Sequence, residues 1–432
     1  MKFLRNSVIL LLAAGLLCSC AQKEEQKVPA NEIWKGNANQ LLTKDEVNQE
    51  IAEKTERVVK FLNENNLDAV LLTQVRNFYW ITAGAAYNQI VLNKDAGAAT
   101  IIVTKTGDKY LLCGGSEVGR LMDESLGALG YKALVYNWYE SNPLKDTRAE
   151  LVKSVVKGKY GSDVDFPGAV NISEKFRPLR YSLTATEVKK YKWIAKESTE
   201  AIEKIAREVK PGMDEFEIEA MTSAELRSRG LIPTVLLMAV DDRIYKYRHA
   251  LPGGAKLKKY AMINIVAEKW GMPIAATRFV HFGELPAELK SKLEKAAIVN
   301  AHYQEASVPG KSCAVIFESC KQWYAQVGFE GEWQKHHQGG PIGYDDREYV
   351  IYPGVSGTIQ KNQALAWNPT ITGAKIEDTI IATDTGFEVV TKTGNWPNII
   401  VKLNGKEYPQ PSILIRDEAT GKVIDKGDYT IE

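Results

Sequence analysis

The period of the apolar positions changes several times along the chain, and the changes divide it into segments. A ten-residue apolar run at 8–17 follows Lys2 and Arg5. It is too short to span a bilayer and too early to serve as a core helix, so it predicts a processed export segment over residues 1–19. Residues 20–44 are polar, interrupted by Pro29, and read as a tether. From residue 45, apolar or small side chains at Val47, Ile51, Ala52, Val58, Val59 and Leu62 fall on one helical stripe, closed by Asn63-Glu64-Asn65-Asn66. Residues 68–72 and 78–81 then read as strands, and 98–103 and 110–113 as a hairpin across Thr106-Gly107-Asp108. This alternation predicts an α/β domain over 45–171, ending where Gly158, Gly161, Asp163, Asp165 and Pro167 break the pattern.

Residues 172–432 begin with a long amphipathic helix. Thr184-x-x-Glu187 has the form of a capping box, and Trp193, Ile194, Ala201, Ile202, Ile205 and Val209 supply the apolar face. Pro211-Gly212 stops that helix, and residues 215–228 form another before Gly230. Strands are expected at 231–240, 260–268, 358–359, 365–369 and 375–382, with helices at 288–302 and 313–326. Helices and antiparallel strands in this order predict an α+β domain.

Composition narrows the function classes. Loss of residues 1–19 removes Lys2 and Arg5 and moves the formal charge from +1 to about −1, which offers nothing to a nucleic acid or other polyanion. Of the five cysteines, Cys113, Cys313 and Cys320 lie in the two domains without a CxxC; Cys313 and Cys320, seven residues apart in a helix-like segment, need not meet. Leu17-Cys18-Ser19-Cys20 resembles a bacterial lipobox, which implies cleavage before Cys20, acylation of its thiol, and a lipid anchor without a transmembrane helix. The expected location is the outer membrane, on its periplasmic side or at the cell surface. No glycine-rich phosphate loop, GxSxG elbow or HExxH occurs.

Chemistry concentrates in KHHQGGPIGYDDRE at 335–348, which holds two of the five histidines. Together with LDAVLLTQVRNFYWITAG (67–84), RHALP (248–252), NIVAEKWGMPIAATRFVHFG (264–283), LAWNP (365–369) and GAKIEDTIIATDTG (373–386), it resembles the aminopeptidase P and creatinase branch of the M24 metallopeptidase-like proteins. The resemblance implies a pita-bread fold for 172–432 behind a creatinase-like N-terminal domain. It also implies a homodimer. Active members hold two metal ions with two aspartates, a histidine and two glutamates. The matching positions here are Asn264 (Val266 if the strand slips by two), Ala275, Gly340 and Asn368, and only the last ligand, Glu377, is retained. One carboxylate cannot offset the repulsion of two divalent ions, so neither a metal nor another cofactor is expected. Adjacent side chains of an extended segment point to opposite faces, so His336 and His337 are not expected to share an ion.

Other site residues follow from the same resemblance. His249 matches a histidine on the substrate side and, as in the metal-free creatinase, is expected to move protons, with Glu377 as its catalytic partner that binds a cationic substrate group or orients the imidazole. Arg347 replaces a second substrate-side histidine and exchanges a titratable imidazole for a fixed cation that can grip a carboxylate. His336, His337, Asp345, Arg347, Glu348 and Tyr247 are the expected substrate contacts. Tyr247 belongs to a run from Asp241 to His249 that suits either a ligand-gripping surface or a half-exposed strand. Arg278 and His281 are expected to be structural, while Trp333 suits either a pocket or the core. The expected function is metal-independent hydrolysis of a C–N bond in a small amidine, amide or peptide-like compound. The alternatives are a pseudoenzyme that binds a peptide or amino-acid derivative, and a Xaa-Pro aminopeptidase with an atypical metal site.

Overall fold

The computed structural model describes residues 41–424 and 427–432; the export segment and Cys20 lie outside them. A mixed six-stranded sheet comes first, in the order Lys132–Tyr136, Lys109–Gly114, Ala96–Thr104, Ala69–Gln74, Tyr160–Ser162 and Val170–Asn171. The helix Lys44–Glu64 lies against this sheet, started by a capping box between Thr43 and Glu46, and buries Val47, Ile51, Val58 and Leu62. The hairpin expected at 98–113 is present as an antiparallel pair. Residues 78–81, expected as a strand, belong instead to the helix Val75–Ile81. Phe78, Tyr79, Trp80 and Ile81 are all buried, and a short apolar run buried on every side has no period that separates strand from helix. The backbone turns out of the preceding strand where the Asp163 carboxylate accepts the N–H groups of Thr73 (2.8 Å) and Gln74 (3.0 Å).

The second domain is α+β, as expected. One four-stranded sheet runs Ile413–Arg416, Met272–Phe282, Tyr260–Lys269 and Ile232–Val240, and the other runs Gly339–Ile342, Ala364–Trp367, Asp378–Ala382 and Phe387–Val389. The helices Ala185–Glu208, Glu215–Ser228, Ala287–Ala306 and Cys313–Gln326 pack around them. The Thr379 hydroxyl donates to Ala275 O (2.9 Å) and accepts from Ala275 N (3.0 Å), and Thr277 N donates to Glu377 O (3.0 Å), so the two sheets are joined at their centre. The strand expected at 375–382 is split around Ile376 and Glu377, and Thr358 makes only an isolated bridge to Ser312. Asp241 to His249 is not a strand either. Asp241, at φ 48°, accepts backbone N–H groups of Lys258, Lys259 and Tyr260, and a short helix Asp242–Lys246 follows. Cys113, Cys313 and Cys320 are free and buried. Trp333 packs edge-on against Phe317 at 5.5 Å.

A fully buried ionic cluster joins the two domains. Lys54 Nζ lies 2.6 Å from Glu50 and 2.7 Å from Glu187, and Lys190 Nζ lies 2.8 Å from Glu50. Tyr344, from the loop that follows the strand Gly339–Ile342, donates its hydroxyl to Glu187 at 2.6 Å. Burial opposes ionisation of Glu187, but Lys54, Lys190 and their hydrogen bonds outweigh it and hold the carboxyl at about 2, against an ordinary 4.5. Depression of the folded value means that the unfolded chain takes up the proton first. The associated stability is therefore present above pH 4.5 and is lost as pH falls toward 2. Lys54→Met leaves Glu50 and Glu187 short of a cation, and is expected to cost ~3–5 kcal/mol in urea unfolding at pH 7. The same variant should show a shallower loss of stability on acidification.

Candidate functional site

Three imidazoles meet beside the joined sheets. A 3₁₀ turn, Glu332–Lys335, delivers His336 and His337, and the loop after the helix Asp242–Lys246 delivers His249. His336 Nε2 lies 2.9 Å from His249 Nε2, the rings of His336 and His337 stack at 4.4 Å, and His249 and His337 are 5.8 Å apart. One nitrogen from each lies within 4.8 Å of the others, an arrangement that can hold a metal ion. This overturns the expectation that His336 and His337 could not share an ion. Strand alternation does not govern residues 336–338, because they connect a 3₁₀ turn to a strand and are folded by the Gln338 amide, which donates to His336 O (2.7 Å) and Trp333 O (3.2 Å).

All three imidazoles are biased toward the neutral form that ligates metals. Burial, followed by the cations of Lys375 and Arg248 and the neighbouring rings, pushes His336 down to about 2. Burial and then Arg347 push His337 down to about 4. His249 is exposed at the edge of the cluster and is lowered by partial burial, then by Lys375 and Arg347, against an opposing pull from Glu377.

Glu377 forms the buried floor. Its Oε2 accepts from the Asn264 amide (2.5 Å) and the Thr277 hydroxyl (2.7 Å) and pairs with Lys375 Nζ (2.8 Å), while Arg347 NH2 stands 3.7 Å from Oε1. Desolvation alone would raise this carboxyl, but Lys375, Arg347 and the hydrogen bonds hold it below its ordinary value. Asn264 faces Thr277 across the strand pair, and Ala275 faces Val266. Gly340 sits at φ 142°, where an added Cβ would lie 3.1 Å from Ile351 Cγ1 and 3.2 Å from Tyr349 O. Asn368 Oδ1 is buried without a hydrogen-bond partner among the described residues.

The loop after Ile342 is clamped by Arg76 of the first domain and by Arg180, which precedes the helix Ala185–Glu208 of the second. Arg180 reaches both carboxylate oxygens of Glu348 (3.1 and 2.5 Å) and also bonds Asn77, while Arg76 pairs with Asp345. These bonds fix the residues on either side of Arg347 and leave its guanidinium on the Glu377 side. The structure thus gathers His249, His336, His337, Arg347 and Glu377. It places Asp345 and Glu348 in the domain clamp, and Tyr247 at the surface over the Arg243 guanidinium, 5.2 Å from its ring. Arg278 is buried between Glu203 (3.2 Å) and Asp378 (3.0 Å), and His281 is packed with a bond to Gly283 O (3.3 Å). Sequence reasoning missed Lys375, although its position two residues before Glu377 could have flagged a side chain on the same face. No local signal in the sequence pairs Arg180 with Glu348.

Residues 189–384 match the model of metallopeptidase family M24. Residues 189–384 belong to that family. A Xaa-Pro dipeptidase of Pyrococcus horikoshii is 24% identical over 363 residues, spanning 79% of this chain and 97% of the relative. Among solved structures, the P. horikoshii prolidase superposes with a TM-score of 0.66 at 19% identity, covering 79% of this chain and 98% of its own. The X-Pro aminopeptidase of Thermotoga maritima superposes with a TM-score of 0.62 at 16% identity, covering 78% and 97%. This M24 chain therefore has the pita-bread fold behind an N-terminal domain, and its membership points at family level to a hydrolase of peptide or amide bonds.

The residues of this M24 chain do not fit a pair of metal ions. The single carboxylate is already neutralised by Lys375, Gly340 carries no side chain and would be strained and tightly packed with one, and Asn264, Ala275 and Asn368 supply no charge. The remaining metal-binding group among the described residues is the partial, three-histidine cluster. Gly340→His, which restores the family's residue, is expected to leave metal content unchanged. It should also lower the thermal stability by ~1–3 kcal/mol, because a side chain there is strained and overpacked.

Proposed function

We propose that the chain hydrolyses a peptide or amide bond with one divalent metal ion, held by His249, His336 and His337 in place of the family's pair. The observation that carries this reading is the convergence of three ligating nitrogens within 4.8 Å. Their depressed proton affinities support it, because the neutral imidazole is the metal-binding form. Three protein ligands leave a position open for water or substrate, and His249 sits on the exposed side from which either arrives. Bound there, a divalent ion would supply Lewis-acid activation at neutral pH.

The chain's own groups divide the remaining work. Glu377, tied to Lys375, Thr277 and Asn264, serves as a fixed charge rather than a free base. That arrangement weighs against a metal-free His249–Glu377 catalytic pair, since Nε2 of His249 is directed at His336. Arg347, held by the clamped loop, is available to orient substrate. Lipidation at Cys20 would place the site at the outer membrane, a reading supported by residues 17–20. Among the described residues no helix is long and apolar enough to cross a membrane.

One observation favours a second reading, a binding protein without turnover: Lys375 and Arg347 create positive potential at the histidines, which opposes a bare cation. Elemental analysis of the mature protein separates the two. The first reading expects about one zinc, manganese or cobalt per chain, loss of turnover on a panel of dipeptides and small amides in chelator, and loss of metal in His336→Ala. Turnover that persists in chelator, or full metal retention by His336→Ala, would sink it. Metal-free protein with saturable peptide binding and no turnover would establish the second.

A further inference from the structure

We infer that Arg347 and Lys375 form a buried binding site for a carboxylate next to the three histidines, and that carboxylate and metal ion bind cooperatively. The second half rests on the single-metal reading above; the first does not. Lys375 is 6% exposed, Arg347 17% and Glu377 3%, so two cations share one carboxylate largely out of water. The sharing is uneven. Glu377 Oε2 takes Lys375, Asn264 and Thr277 within 2.8 Å, whereas Oε1 has the Arg347 NH2 at 3.7 Å, too long for a hydrogen bond.

Most of the guanidinium is consequently unclaimed. Arg347 NH1 donates to the backbone O of Asp346 at 2.7 Å, and Nε is buried without a partner among the described residues. Nε and NH2 form the edge that grips a carboxylate through two parallel hydrogen bonds. The other charges nearby are already engaged. Arg248 is paired with Glu332, and the Asp346 side chain bonds Thr234 and lines the cavity of about 440 Å³ between the domains. Asp346 attracts Arg347 from beyond ion-pair reach and Glu377 Oε1 stands 3.7 Å away, so no anion hydrogen-bonds the buried Nε–NH2 edge among the described residues.

The fork takes a carboxylate through two parallel hydrogen bonds, and a singly charged one, such as the free end of a short peptide or an N-substituted amino acid, suits a single open guanidinium edge beside Glu377 better than a doubly charged phosphate. Coupling to a metal follows from electrostatics. A divalent ion on neutral imidazoles adds to the positive charge of Lys375 and Arg347, and a carboxylate lying between them relieves the repulsion. Each ligand must then strengthen the other by the same factor.

Calorimetric titration of the full mature protein with acetate and with inorganic phosphate, metal-free and, for acetate, zinc-loaded, tests both halves. Acetate should bind the metal-free protein saturably, more tightly than phosphate, and bind the zinc-loaded protein more tightly again. Arg347→Met and Lys375→Met should each weaken acetate by about tenfold or more, with Arg347→Lys in between because it keeps the charge and loses the fork. Unchanged acetate affinity in Arg347→Met, or in Arg347→Lys if the methionine variant does not fold, overturns the carboxylate site. Tighter phosphate than acetate overturns the choice of anion. Zinc that binds without altering acetate affinity overturns the coupling. Acetate binding that depends on Arg347 while zinc does not bind at all upholds the carboxylate site and overturns the single-metal reading.

Discussion

The ion pair between Glu377 and Lys375 is the constraint on which the site depends. A carboxylate buried between two sheets must be neutralised, and in a family of metallopeptidases bound metal ions are positioned to do it. Here Lys375, 2.8 Å away on the same backbone segment, does so permanently. Once the ammonium is in place, carboxylates at 264, 275 and 368 would no longer face ions, and asparagine or alanine there leaves fewer negative charges to bury. The Asn264 amide fits this account, since at the position where the sequence resemblance expects a metal-binding carboxylate it donates to Glu377 at 2.5 Å. Departures that look independent along the chain are parts of one electrostatic substitution.

The same substitution accounts for the histidines. Burial, reinforced by Lys375 at both His336 and His337 and by Arg347 at His337, biases these imidazoles toward the neutral form, so the cluster consists of neutral donors backed by fixed cations. A neutral donor set is suited to one metal ion and poorly suited to two. The clamp on the loop completes the arrangement, because Arg180 on Glu348 and Arg76 of the first domain on Asp345 fix the segment that carries Arg347. Acidic residues that read as substrate contacts in the sequence thus act, in the structure, on the arginine between them.

Much of the fold was legible because it is written in local signals. The capping box at Thr184, Gly230 beyond the helix Glu215–Ser228 and the stripe along Lys44–Glu64 each specify an element without reference to the rest of the chain. Residues 78–81 failed because complete burial erases periodicity, and of the two readings left open for Asp241–His249 the strand gives way where the Asp241 carboxylate accepts three backbone N–H groups and a short helix follows. Strand pairing sets Asn264 opposite Thr277 and Val266 opposite Ala275, and it is the Asn264 side chain that reaches Glu377.

What could not be read was the meeting of His249 with His336 and His337, residues separated by more than eighty positions. Their convergence depends on the turn at Glu332–Lys335 and on one side-chain amide, Gln338, neither of which has a periodic signature. The sequence argument treated two adjacent histidines as residues of a strand, and that single assumption decided against a shared ion. Local geometry at a site is where a functional sequence departs from regular structure, so rules derived from regular structure are least dependable there. The loss of one metal centre and the presence of another possible one are therefore separate questions. The first is answered by residue types in register, the second only by where a short irregular segment points its rings.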